Sequence, residues 1–121
     1  MAEKMLILVT HGTDSPELVT CAFTMATAAQ ASDVTVVMGF QCDGVTLLKK
    51  GAADAIAAPN FTPLKTLLET YLECGGKLLA CGPCVKTRGI NPETDFVKSA
   101  SVVNAATFVK ESTEAKSTLV Y

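Results

Sequence analysis

Residues 4–10, KMLILVT, form a short run dominated by Leu, Ile and Val. Such a run is typical of a strand buried on both faces, as in a parallel sheet covered by helices. The stretches DVTVVM (33–38) and KLLAC (77–81) repeat the pattern, and a loop and a helical pattern follow each of the three. Strands that alternate with helices predict an α/β fold with a parallel sheet.

The remaining segments complete a five-stranded arrangement. We expect one flavodoxin-like three-layer domain over residues 1–121, with a five-stranded parallel sheet of order about 2-1-3-4-5. This order would place the ends of the first and third strands side by side, where open α/β sheets bind ligands. His11 follows the first strand and Cys81 ends the third, so we expect them to share one crevice. The other predicted strands are 96–99 and 117–121, and the predicted helices are 16–31, 45–50, 62–74 and 102–112.

The most specific chemical pattern is Cys81-Gly82-Pro83-Cys84, a CxxC sequence at a predicted strand-to-helix junction. Amide groups at the start of a helix stabilise a thiolate, which is the reactive form of cysteine. Lys86 and Arg88, the one arginine, add positive potential nearby. Zinc sites usually need four ligands, so we expect neither a metal nor another cofactor here. Two small residues in a tight turn are the structural alternative.

Two further positions, His11 and Cys42, have two interpretations each. His11, the one histidine, could tune the thiolate or shuttle a proton, or it could hydrogen-bond to backbone. Cys42, in the exit loop of the second strand, is either a secondary thiol or a bystander. Cys21 and Cys74 lie on predicted helices, where a free cysteine usually behaves as a small hydrophobe.

Composition limits the function class and the compartment. Ten basic and twelve acidic residues give a net charge of −2 with no basic block, which argues against nucleic-acid binding. No apolar run approaches the roughly 18 residues needed to span a bilayer, and no signal peptide is evident. Five cysteines, an odd number, fit a reducing compartment, so we expect a cytoplasmic protein with free thiols.

The first predicted helix has an unusual charge distribution. No residue from Leu18 to Ser32 is charged, and residues 99–109 are also uncharged. A helix that covers a sheet in a monomer should have one charged, solvated face. We therefore expect a homo-oligomer that covers this helix on a second side.

Three stretches, VTHGTDSPE (9–17), GFQCDGVTLLKKG (39–51) and GGKLLACGPCVKTRGI (75–90), resemble the DsrE/DsrF-like family, which includes subunits of sulfur-relay complexes. The most specific part is a cysteine at the end of the third strand followed eight residues later by a glycine, here Cys81 and Gly89. The resemblance implies a flavodoxin-like fold, homotrimers or hexamers, and persulfide-based sulfur transfer on Cys81. Sulfur-relay members often lack a second cysteine at Cys84, which is a departure from the pattern.

Three hypotheses follow. The first is a cytoplasmic sulfur carrier or sulfurtransferase, in which Cys81 accepts a sulfane sulfur from a donor protein and passes it to an acceptor protein. Cys84 would resolve the persulfide or tune it, with Lys86, Arg88, His11 and Cys42 in support. The second is a thiol–disulfide oxidoreductase that uses the Cys81/Cys84 pair. The third is a non-catalytic oligomeric module that binds a small ligand.

Overall fold

Five parallel strands form one sheet in the order β4-β3-β2-β1-β5 in the structure, a computed structural model that describes residues 3–121. The strands are β1 (Lys4–Val9), β2 (Thr35–Phe40), β3 (Lys77–Cys81), β4 (Ala100–Val103) and β5 (Ser117–Val120). The α-helices are α1 (Pro16–Ala31), α2 (Leu64–Glu73), α3 (Gly82–Thr87), α4 (Pro92–Asp95) and α5 (Ala105–Glu114), and two 3-10 helices span Cys42–Leu48 and Ala53–Ala55.

The α/β class and the five-stranded parallel sheet are confirmed, and the order is consistent with a flavodoxin-like layout. The predicted numbering 2-1-3-4-5 needs one correction, because β2, and not β1, lies beside β3. All five residues from Val36 to Phe40 are buried, which requires an interior position. β5, with exposed Ser117 and Thr118, takes the edge beside β1 instead. The ends of β1 and β3 are therefore separated by the end of β2.

The main core lies between the sheet and helices α1 and α2. Phe23 of α1 is its centre: the side chain is 2% exposed and lies 6.0 Å from both Phe40 and Tyr71, measured between ring centroids. The Tyr71 hydroxyl donates a hydrogen bond to the carbonyl oxygen of Lys77 at 2.6 Å. This bond fixes the first residue of β3, the strand that ends at Cys81.

Helix α5 covers the opposite face of the sheet. Phe108 of α5 lies over Gly39, where an added Cβ would come within 2.5 Å of the phenyl ring, so only glycine permits this close packing. Lys4 of β1 forms an ion pair with Glu111 of the same helix at 2.7 Å. The sheet thus has helices on both faces, as a three-layer fold requires.

Two sequence-predicted boundaries were wrong. The fourth strand is Ala100–Val103 and not 96–99, because Phe96 turns into the core and forms an isolated antiparallel bridge with Lys49. The helix predicted over 45–50 is a 3-10 helix that begins earlier, at Cys42. This second shift matters for function, since it brings Cys42 and its neighbours against α3.

Helix α1 shows how the uncharged stretch is distributed. Ala22 belongs to the core at 0% exposed, whereas Thr24, Met25 and Ala28 are exposed. Beyond Glu17 in its first turn, the exposed side of α1 is therefore neutral, with Met25 at 42% exposed. Among residues 3–121, no helix combines the length and the apolar character that crossing a membrane demands.

Candidate functional site at the ends of β2 and β3

The CxxC sequence lies where β3 passes directly into α3. Cys81 is the last residue of the strand and the N-cap of the helix, and Pro83 occupies the first turn, where a missing N–H costs nothing. A Cβ on Gly82 would lie 3.3 Å from the carbonyl oxygen of Val103, so a small residue lets β4 pack closely here. Cys81 and Cys84 are both half-buried.

The loop after β2 turns sharply at Cys42. The Gln41 amide donates to the carbonyl oxygen of Val9 at 3.0 Å, and a side chain on Gly44 would collide with that same oxygen. Cys42 has a φ of +51°, which is uncommon for a residue other than glycine. The close contact with β1 and the left-handed turn together direct the loop towards α3.

The turn brings Cys42 to the second cysteine of the CxxC sequence. The backbone amide of Cys42 donates a hydrogen bond to Cys84 Sγ at 3.1 Å. The contact is possible because β2 and β3 are neighbours, with Phe40 in register with Ala80. Cys42 therefore contributes its amide to the site, and its own side chain is exposed.

The Cys81 thiol does not have the stabilised thiolate that the sequence led us to expect. Burial raises its pKa above the ordinary value, and a hydrogen bond to the Cys84 side chain raises it further, although the Cys84 amide opposes both effects. Helix α3 has six residues, so its dipole is small. The Cys81 thiol is therefore held in its protonated form beside the Cys84 side chain.

Arg88 does not act as a free positive charge beside the thiols. Its guanidinium holds Asp43 Oδ1 with two hydrogen bonds, 2.7 Å from Nη2 and 3.1 Å from Nε. Nη1 also donates to the carbonyl oxygen of Cys84 at 3.2 Å. Sequence reasoning missed Asp43, although its position directly after Cys42 was a usable signal once β2 is placed beside β3.

His11 and Lys86, the other predicted supporting residues, do not join this cluster. In the part of the chain that the structure describes, the His11 ring hydrogen-bonds Thr10 Oγ1 at 3.3 Å and none of the cysteines. The expected crevice shared by His11 and Cys81 was wrong, because it depended on β1 lying beside β3. Lys86 is exposed on α3.

The two remaining cysteines differ from each other. Cys21 is half-buried on α1 and lines a cavity of about 430 Å³ at the start of that helix. Cys74 is exposed at the end of α2, so its interpretation as a packed hydrophobe was wrong. Neither belongs to the cluster at the ends of β2 and β3.

Across residues 3–121, no three His, Cys, Asp or Glu side chains are grouped so that they could hold a metal ion.

Comparison with known protein families gives a match over nearly the whole chain. The model of the DsrE/DsrF-like family matches residues 3–121. The chain belongs to the DsrE/DsrF-like family. It is thereby broadly related to sulfur-relay proteins.

The relatives of this DsrE/DsrF-like chain include two archaeal proteins and two solved structures. It is 41% identical over 73 residues to an uncharacterised protein of Methanopyrus kandleri, a match over 58% of this chain and 56% of that one. An uncharacterised protein of Methanocaldococcus jannaschii is 29% identical over 90% of this chain and 94% of its own length. The fold is similar to that of the ychN protein from E. coli (TM-score 0.78, 15% identity, all of both chains). It is also similar to that of a protein of unknown function from Methanobacterium thermoautotrophicum (TM-score 0.71, 14% identity, 98% and 99% of the two chains).

Proposed function

We propose that this DsrE/DsrF-like protein carries sulfane sulfur as a persulfide on Cys81, between a donor protein and an acceptor protein in the cytoplasm. The observation that supports this most is the position of Cys81 at the end of β3, beside the Cys84 side chain and eight residues before Gly89, as in the family pattern that the sequence resembles. Five free cysteines and the lack of a membrane-crossing helix in residues 3–121 agree with a reducing compartment.

The pair of thiols provides a route for the proton. The Cys81 sulfur attacks the outer sulfur of a donor persulfide, the donor S–S bond breaks, and the donor leaves as a thiolate. The proton of Cys81 passes to the neighbouring Cys84 sulfur, which gives up its own proton to the departing thiolate. One sulfane sulfur changes carrier, with no net gain or loss of electrons. An acceptor thiolate then attacks the same outer sulfur and leaves Cys81 reduced.

Loading the reduced protein with a persulfide donor and mapping the product by peptide mass spectrometry tests the function. We expect one added sulfur on the peptide that contains Cys81, and none on that peptide in Cys81→Ser. Cys21→Ser is the matched control and should load like the unmodified chain, because Cys21 lies on α1, outside the cluster. Absence of added sulfur on Cys81 both in the unmodified chain and in Cys84→Ala would refute the proposal.

A thiol–disulfide oxidoreductase is the second candidate, and the proximity of the Cys81 and Cys84 side chains at the start of α3 favours it as well. The same loading experiment separates the two functions. A sulfur carrier retains added sulfur on Cys81 long enough to be mapped. An oxidoreductase gives the Cys81–Cys84 disulfide immediately, with no persulfide detected in Cys84→Ala either.

We also infer a homo-oligomer, a trimer or hexamer, with the exposed side of α1 against a second copy. Beyond Glu17 in the first turn, that side is neutral and includes exposed Thr24, Met25 and Ala28, as an interface core requires. Met25→Lys would place an unpaired charge in the interface and should dissociate the assembly, as measured by light scattering. Thr66→Lys, at an exposed position on the charged helix α2, should not. A monomer at micromolar concentration for the unmodified chain would contradict the inference.

A further inference from the structure

The Asp43–Arg88 ion pair joins the two segments that meet at Cys84. Asp43 lies on the 3-10 helix Cys42–Leu48, and Arg88 directly follows α3. The same guanidinium also contacts the carbonyl oxygen of Cys84, so it is fixed to both segments. The residue before Asp43 donates the amide hydrogen bond to Cys84 Sγ.

We propose that Asp43 and Arg88 are positioning residues that hold the Cys42 amide on the Cys84 sulfur, and so set how readily Cys84 attacks a persulfide on Cys81. The attack forms the Cys81–Cys84 disulfide, breaks the bond between Cys81 Sγ and the outer sulfur, and expels hydrosulfide. This consequence rests on the proposed function, whereas the positioning itself concerns the reduced protein and can be tested without any persulfide.

A hydrogen bond from a backbone amide, such as the one from Cys42 to Cys84 Sγ, favours the charged form of the sulfur that accepts it. If the 3-10 helix moves away from α3, Cys84 loses this donor, and its thiolate forms at higher pH. A thiolate with fewer hydrogen bonds is also a stronger nucleophile. Loosening the ion pair should therefore slow the reactions of Cys84 at low pH and accelerate them on the alkaline plateau.

A purely electrostatic effect would shift the pH dependence of Cys84 reactivity in the opposite direction in one variant, Asp43→Asn. The ionisable groups on the segments around Cys84 are Cys81, Cys42, Asp43, Arg88 and Lys86, and Lys77 lies at the far end of β3. Asp43→Asn removes a negative charge and frees a positive one. If charge alone mattered, this change would favour the Cys84 thiolate, and Cys84 would become reactive at lower pH. Positioning predicts a move to higher pH.

The experiment measures iodoacetamide labelling of Cys84 against pH, by peptide mass spectrometry, in the Cys81→Ala background. We expect Asp43→Asn to raise the midpoint by about half a pH unit, the size that an exposed ion pair can supply. Labelling below the midpoint should become about twofold slower, and labelling on the plateau somewhat faster. Arg88→Lys keeps the charge but loses the forked contact, and should give the same upward shift.

Asp54→Asn, at an exposed aspartate in the 3-10 helix Ala53–Ala55, is the matched control and should leave the profile unchanged. An unchanged or lowered midpoint in Asp43→Asn, with circular dichroism identical to the parent, overturns the inference. Because the background lacks Cys81, the result does not depend on sulfur loading. Failure of the proposed function, seen as no added sulfur on Cys81, is thus a separate outcome.

Discussion

Cys84→Ala should lengthen the lifetime of a persulfide on Cys81 by about tenfold or more. The Cys84 side chain lies beside Cys81, and an intramolecular thiol reacts as if it were far more concentrated than any thiol in solution. Without it, the persulfide loses its internal route to a disulfide and hydrosulfide. The decay of the loaded species by intact mass, together with the hydrosulfide released, measures the effect.

Cys74→Ala is the control for this change, since Cys74 is exposed at the end of α2 and takes no part in the thiol cluster. Its persulfide should decay at the rate of the unmodified chain. Equal lifetimes in Cys84→Ala and in the unmodified chain, with no disulfide formed in the latter, would assign Cys84 to packing.

Phe23→Ala should lower the free energy of unfolding by about 3–5 kcal/mol. The ring is 2% exposed and contacts both Phe40 at the end of β2 and Tyr71 of α2, so truncation leaves a cavity at the centre of the main core. Urea unfolding followed by circular dichroism, at one fixed protein concentration, measures the loss.

Lys65→Ala, on the exposed face of α2, should change the free energy of unfolding by no more than about 0.5 kcal/mol. A loss in Phe23→Ala that is no larger than this control would show that the core does not centre on Phe23. Because Phe40 immediately precedes the loop that presents Cys42, we also expect Phe23→Ala to weaken the contact between the Cys42 amide and Cys84.

Periodicity predicted the fold class well because the three central strands have unmistakable apolar runs. It misplaced β4, because Phe96 and Val97 look like a strand although Phe96 belongs to the core. Strand order was harder still. The local sequence pattern indicates that β2 is buried. Which strands pair with its two edges, however, depends on tertiary packing, which no short stretch of sequence determines.

That one difference in order decided what could be predicted of the site. The CxxC pair is local, so its place at a strand-to-helix junction followed from the residues themselves. The contact between the Cys42 amide and Cys84 Sγ joins positions 42 residues apart and depends on β2 lying beside β3. The same holds for Asp43 with Arg88, whose pairing turns an expected free cation into a link between two segments.

The most direct test of the central claim compares Cys84→Ala with the double variant Cys81→Ser/Cys84→Ala, by intact mass after exposure to a limiting amount of a persulfide donor. Neither protein can form the Cys81–Cys84 disulfide, so any sulfur accepted at this site remains attached. If Cys81 is the sulfur carrier, the first protein gains one sulfur atom and the second gains none. Equal gains in the two proteins, or none in either, would contradict the account.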